Sequence, residues 1–198
     1  LNIILQQAMT QLKMDAAVVR VYDPSMKVLK FAVGRGLHTE ALQLTSLRIG
    51  EGYAGMAALQ KRVVRVPDLQ QDQPNFSPPP TFVKEGFKSY YCVPLIAKGE
   101  IKGVMESFHR TIFKPDTEWL DFFETLGGQA AIAIDNSMLF NDLQRSNLEL
   151  MLAYDTTLEG WSKALDMRDR DTEGHTRRVT EMTERLSIAF DIKDSERV

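Results

Sequence analysis

The side chains able to do chemistry are few and scattered. The chain has three histidines, His38, His109 and His175, and one cysteine, Cys92. Metal-activated hydrolysis needs several imidazoles and carboxylates around ions that activate water, yet no His-Asp dipeptide occurs anywhere. A haem iron needs an axial ligand such as imidazole. His109, closing an apolar run, is a formal candidate, but alone it reads as a surface or hairpin-end residue. His38 lies in a polar turn. Cys92 sits among apolar residues, where a free thiol usually serves as a small buried hydrophobe. A lone cysteine also excludes an internal disulfide and any CxxC knuckle. Gly50, Gly52 and Gly55 spell G-x-G-x-x-G in "GEGYAG", the spacing of a dinucleotide loop. That chemistry needs a buried parallel strand just before the loop, and "LTSLRI" is a poor one. The glycines are better read as shaping a loop and a helix start.

Two charges stand out because they interrupt apolar strands: Arg20 in "VVRVY" and Glu106 in "VMESF". Side chains alternate along a strand, so Arg20 shares a face with Tyr22, and Glu106 with Phe108. On a pocket face such charges would orient a polar ligand. Otherwise they are a structural ion pair or edge charges, which is the commoner case. The stretch 68–81 with Phe76, followed by Phe82 and Phe87, is a long loop that can lie over a sheet as a lid. Its aromatics serve equally as pocket wall or as hydrophobic anchors.

These residues must be positioned by an alternation of helices and hairpins. Leu1, Ile4, Leu5, Ala8, Met9 and Leu12 recur at helical spacing, predicting a helix over 1–13. "AAVVRVYDP" and "KVLKFAVGRG" read as an antiparallel hairpin turned at Asp23-Pro24-Ser25. Residues 51–61 read as a helix and "VVRVPDL" as a short strand. "QQDQPNFSPPPTF" reads as a loop because its four prolines oppose regular structure. "SYYCVPLIAKGEIKGVMESFHR" gives a second hairpin. Helical periodicity then runs from Pro115 to about Met167, breaks over 171–174, and resumes over 175–190. Hairpins make an antiparallel sheet that helices from both chain ends can cover, an α+β architecture.

With 43% hydrophobic and 26% charged residues, the composition is that of a soluble globular protein. A formal net charge of -3 argues against nucleic acid as a partner. No apolar run approaches a membrane span, and no basic leader precedes Leu1. We expect a cytoplasmic segment without membrane contact, and the lack of an initiator Met suggests one cut from a longer protein.

"IGEGYAGMAALQKRVVRVPDL", "YYCVPLIAKGEIKGVMESFH" and "FKPDTEWLDFFETLGGQAAIAIDNSMLF", in that order, resemble a GAF domain over residues 1–140. The resemblance implies a GAF-like antiparallel sheet of five to six strands flanked by helices, without activity of its own. It implies small-molecule sensing and dimerisation. It places the first strand beside the last, so that Arg20 and Glu106 could face each other. The ligand-binding candidates are Arg20, Tyr22, Phe76, Phe82, Phe87, Glu106 and Phe108, for a ligand of unknown identity. The Asn-Lys-Phe-Asp-Glu set of cyclic-nucleotide GAF domains cannot be traced, and bilin-binding members use differently placed cysteines than Cys92. A ligand-free dimerisation platform is the alternative.

"LMLAYDTTLEGWSKALDMRDRDTEGHTRRVTEMTERL" resembles the opening of an HD-GYP domain, the bacterial phosphodiesterase class acting on cyclic di-GMP with iron or manganese. The resemblance puts the first metal histidine on His175. It puts an auxiliary acid on Asp171, where the family often has Glu. The other ligands and the Gly-Tyr-Pro motif do not occur, so residues 169–198 alone should be a catalytically inert, metal-free piece of a larger hydrolase. Between the two, residues 141–168 form a signalling helix. Leu143, Asn147, Leu150, Tyr154, Thr157, Trp161 and Ala164 make a heptad seam there, which predicts a homodimer through the terminal helices.

Overall fold

The computed structural model describes residues 2–71, 78–168 and 175–190. Helix α1 (Asn2–Leu12) buries Leu5, Ala8 and Leu12, which fall on one face by their three- and four-residue spacing. Strands β1 (Ala16–Asp23) and β2 (Val28–Arg35) pair antiparallel. The Asp23 carboxylate closes their turn by accepting the backbone N–H groups of Ser25 and Met26 at 2.9 and 3.1 Å. A three-residue edge strand β3 (Ser46–Arg48) adds to β2 from the segment that reads poorly as a strand. Helix α2 (Gly52–Gln60) follows, then β4 (Val64–Val66).

The proline-rich stretch holds a departure from the sequence expectation: Pro80–Glu85 forms helix α3. Three consecutive prolines do not prevent it because Pro79 is the N-cap and Pro80 the first helical residue. A missing N–H costs nothing at that position and the fixed φ suits a helix. Strands β5 (Ser89–Ala97) and β6 (Glu100–His109) form the second hairpin. Its two-residue turn has positive φ at both Lys98 (51°) and Gly99 (78°), the twist that tight hairpins require. Helix α4 runs unbroken for 52 residues (Thr117–Arg168), and α5 spans His175–Ala189.

The strands form one antiparallel sheet in the order β3-β2-β1-β6-β5-β4, so β1 and β6 lie at its centre. Alternation along these strands divides the core in two. On one face Ala17, Val19, Tyr91, Val93 and Met105 pack under α1 and the first part of α4, through Leu120, Phe123, Leu126 and Ala130. On the other, Val18, Tyr90, Cys92, Val104 and Phe108 pack under α2, Phe82 and Phe87. Asp135 pins α4 to the hairpin turn through Lys98 at 3.0 Å and Lys102 at 2.9 Å.

The chain divides into two compact units, residues 1–139 and 140–198. In the second, Leu143, Leu150, Tyr154, Leu158, Trp161 and Leu165 are all exposed. Among the described residues, no helix is long and apolar enough to cross a membrane.

Candidate functional site

Arg20 and Glu106 are brought together, although not as direct cross-strand partners. Arg20 lies opposite Val104 and Glu106 opposite Val18. The two are thus diagonal neighbours on one face of adjacent central strands, within reach of long side chains. Arg20 Nε donates to Glu106 Oε2 at 2.7 Å, and both side chains are only 1% exposed. The rest of the guanidinium reaches the loop between β2 and β3. Nη1 donates to the Thr45 carbonyl at 2.7 Å, and Nη2 to the Thr45 hydroxyl at 3.0 Å and the Leu42 carbonyl at 3.4 Å. The second Glu106 oxygen accepts the Tyr90 hydroxyl at 3.0 Å. A buried pair tolerates its desolvation only with such additional hydrogen bonds.

Burial pushes the Tyr90 phenol and the Cys92 thiol well above their ordinary ranges, and the Glu106 carboxylate beside them pushes the same way. Both groups are therefore neutral at physiological pH. In this centre the cation and carboxylate are matched, the hydroxyl and thiol are uncharged, and no activated nucleophile exists. Cys92 is fully buried in this layer, as its apolar neighbours suggest.

Around the pair the structure assembles an aromatic layer. Phe87 stacks on Phe108 with ring centroids 4.4 Å apart, and Phe82 meets Phe108 edge-on at 5.1 Å and stacks on Tyr90 at 5.5 Å. Tyr22 is half-buried and packs at the border of this cluster. Phe76 lies outside the described residues, as does Asp171. His175 opens α5, and its side chain is also outside the description.

Sequence reasoning missed three members of this face. Tyr90 is the partner that completes Glu106, and its alternation with Cys92 along β5 could have signalled it. Tyr53, on α2, packs on Tyr90 at 5.3 Å. Glu85 ends α3 as a buried carboxylate with four donors around it. It accepts the His38 and Thr39 N–H groups at 2.8 and 2.7 Å, the Thr39 hydroxyl at 2.6 Å and Arg110 Nη2 at 3.3 Å. Burial alone would raise its pKa, but the bonds from Thr39 and His38 prevail and lower it. Nothing in "FVKEGF" marks that residue as buried.

His109 is not a surface residue. Its ring is buried on the α4 face of the sheet and stacks on Phe113 at 4.2 Å, with Ser107 Oγ 3.3 Å away. Burial lowers its pKa to about 4. The "GEGYAG" glycines serve the backbone: Gly50 N–H bonds the Gly55 carbonyl at 2.8 Å, and a side chain at Gly55 would strike the Arg48 carbonyl. A separate open groove of about 540 Å³ lies between the β4–β5 edge and α4, lined by Lys61, Arg62, Arg65, Pro94, Ile96 and Glu124. It shares none of the residues anticipated from sequence.

Among the described residues no group of three or more His, Cys, Asp or Glu side chains could hold a metal ion.

The arrangement matches known proteins. The GAF-domain family model matches residues 1–135. The GAF domain of an Acinetobacter phosphoenolpyruvate-protein phosphotransferase superposes with a TM-score of 0.62 at 19% identity, covering 69% of this chain and 81% of that one. The GAF domain of a two-component sensor histidine kinase from Bacillus halodurans gives 0.61 at 19% identity, covering 71% and 97%. The GAF region of a putative membrane protein from Geobacter sulfurreducens gives 0.58 at 30% identity, covering 66% and 87%. No curated protein matches the chain. The six-stranded antiparallel sheet, its two helical covers and the family match over residues 1–135 agree: the chain belongs to the GAF-domain family.

Proposed function

We propose that this GAF domain is a regulatory sensor whose state is relayed along α4 to an HD-GYP-type phosphohydrolase, of which residues 169–198 are the opening. The observation that carries the reading is α4 itself. It starts as a cover for the sheet and continues past residue 139 with Leu143, Leu150, Tyr154 and Trp161 each at least 58% exposed. Apolar side chains repeated along one helix suit pairing with a second copy, and a paired helix can carry a conformational bias along its length. The resemblance of the tail to HD-GYP sequences supports a hydrolase acting on cyclic di-GMP as the receiver. Its His175 and Asp171 would be metal ligands there, completed by residues this chain lacks. The face bearing Arg20, Tyr22, Glu106, Phe82, Phe87 and Phe108 would take a small polar ligand, in a cytoplasmic setting.

The test is sedimentation velocity on wild type and Leu150→Lys at matched concentrations. Leu150→Lys should shift the chain toward monomer with unchanged circular dichroism, because paired lysines repel and lose burial. Identical sedimentation would remove the physical basis of the relay.

A second reading, a ligand-free dimerisation platform, is favoured by one observation: both Glu106 oxygens and all three Arg20 guanidinium nitrogens already have protein partners. Native mass spectrometry separates the two. A bound small molecule supports the sensor, and its repeated absence supports the platform.

A further inference from the structure

A straight helix turns about 100° per residue, so a strict seven-residue repeat drifts across its surface unless the helices supercoil to the left. Six of the nine exposed large hydrophobics of α4 from Leu143 onward do not follow that drift, the other three being Leu148, Met151 and Leu152. Leu143, Tyr154 and Leu165 stand at intervals of eleven residues, as do Asn147 and Leu158, and Leu150 and Trp161. All seven are exposed. At about 100° per residue they fall within an arc of roughly 80°. Arg145, Glu149, Glu159 and Lys163 project to the opposite side. The heptad seam instead replaces Leu158 and Leu165 by Thr157 and Ala164, leaving two leucines more than half exposed beside it. In the sequence, the same spacing runs upstream through Ile132, Asn136 and Leu139.

We infer that α4 pairs in parallel with a second copy of this chain through this eleven-residue repeat, with a straight or slightly right-handed twist. The inference rests on the dimeric reading proposed above and fixes its register. Three features point to a second copy as the occupant. Parallel, in-register pairing sets each residue against its twin, so Asn147 meets Asn147 and the two amides can bond each other. An antiparallel partner would leave that amide against leucine or an aromatic ring. Ser146, Ala153, Thr157, Ser162 and Ala164 flank the stripe and are small and uncharged; Gln144 and Met151 beside it are also neutral, and Asp155 is the one charge at its border, so little repels an identical helix. The six large apolar side chains, each at least 57% exposed, also offer an area approaching the ~800 Å² that each partner contributes to a standard interface.

An eleven-residue repeat corresponds to about 3.67 residues per turn, close to the relaxed helix, whereas a heptad seam under-winds it to 3.5. Cysteine cross-linking of the full chain distinguishes the two. Cys92 is buried, so a single introduced cysteine reports alone. Under mild copper-catalysed oxidation, Leu150→Cys should cross-link, since it lies in both seams. Leu158→Cys and Leu165→Cys should do so several-fold faster than Thr157→Cys and Ala164→Cys. The reverse order would overturn the register while leaving the dimer intact. Cross-linking of Leu143→Cys to Leu165→Cys in a mixed sample, in preference to either with itself, would overturn the parallel orientation. No cross-linking at Leu150→Cys, with circular dichroism unchanged, would overturn helix pairing and with it the relay.

Discussion

Replacing Arg20 by Met keeps most of the side-chain volume and removes the charge at the centre of the sheet. Four hydrogen bonds vanish: one to Glu106, two to Thr45 and one to the Leu42 carbonyl. Glu106, 1% exposed, is left with the Tyr90 hydroxyl as its remaining partner. Breaking a buried pair from one side costs about 3–5 kcal/mol, because the remaining charge is uncompensated. In a domain of this size that lowers the melting temperature by roughly 10 °C or more. Glu106→Leu should be similarly harmful. The double variant should recover about 1–3 kcal/mol relative to additivity, since no charge is then stranded. It should not recover fully, because the Tyr90 hydroxyl loses its carboxylate acceptor and the Thr45 carbonyl its guanidinium donor. Urea unfolding of wild type, both single variants and the double variant gives the cycle. Additive losses, or an Arg20→Met loss below about 1 kcal/mol, would refute a structural role for the pair.

His109 makes stability pH-dependent in a definite direction. Its folded pKa of about 4 lies below the ordinary value of 6.5, so the unfolded chain binds the extra proton as pH falls from 6.5 toward 4. Wild type should therefore lose about 2 kcal/mol more between pH 7 and pH 5 than His109→Phe, read from urea midpoints. Equal losses would mean the imidazole is protonated in place. Glu85→Gln turns an acceptor into a donor opposite the His38 or Thr39 N–H, and should cost about 1–3 kcal/mol. Hydrogen exchange at those two amides should rise in the variant, and unchanged protection would show that another acceptor holds the loop.

Most of the fold was legible because its signals are local. Both hairpins, α1, α2 and the long helix follow from periodicity and turn residues. The exceptions share a cause. Helix α3 was hidden because prolines that oppose a helix interior are well suited to its first turn, and β3 because three residues carry too little pattern. Arg20 and Glu106 were visible as charges inside apolar runs, and the strand adjacency implied by the resemblance brought them together. Their partners were not. Thr45 and Leu42 act through backbone and hydroxyl groups of a loop, and Tyr90 differs from its neighbour Tyr91 only in which face it points to. Leu158 and Leu165 were passed over because heptad and eleven-residue spacing coincide from Leu143 to Tyr154 and separate only beyond it.

The link between the two faces of the sheet runs through β5, whose even residues line the Arg20 side and whose Val93 meets α4. At that contact two adjacent glycines make opposite predictions from the same substitution. A Cβ on Gly127 would lie 2.9 Å from Val93 Cγ2 and 3.0 Å from Val93 Cγ1, while a Cβ on Gly128 meets nothing within 4 Å. In a helix interior, Gly to Ala by itself stabilises by about 1 kcal/mol. Gly128→Ala should therefore raise stability by nearly that amount. Gly127→Ala forces α4 away from a β-branched side chain that is itself buried. Overpacking of this kind costs about 1–3 kcal/mol and offsets or exceeds the helical gain. The two variants should differ by about 1–3 kcal/mol in thermal or urea unfolding, with Gly128→Ala the more stable. Equal stabilisation by both would mean that α4 does not bear on the sheet at Val93, and the fold would then offer no tight contact there for coupling the Arg20 face of the sheet to the helix.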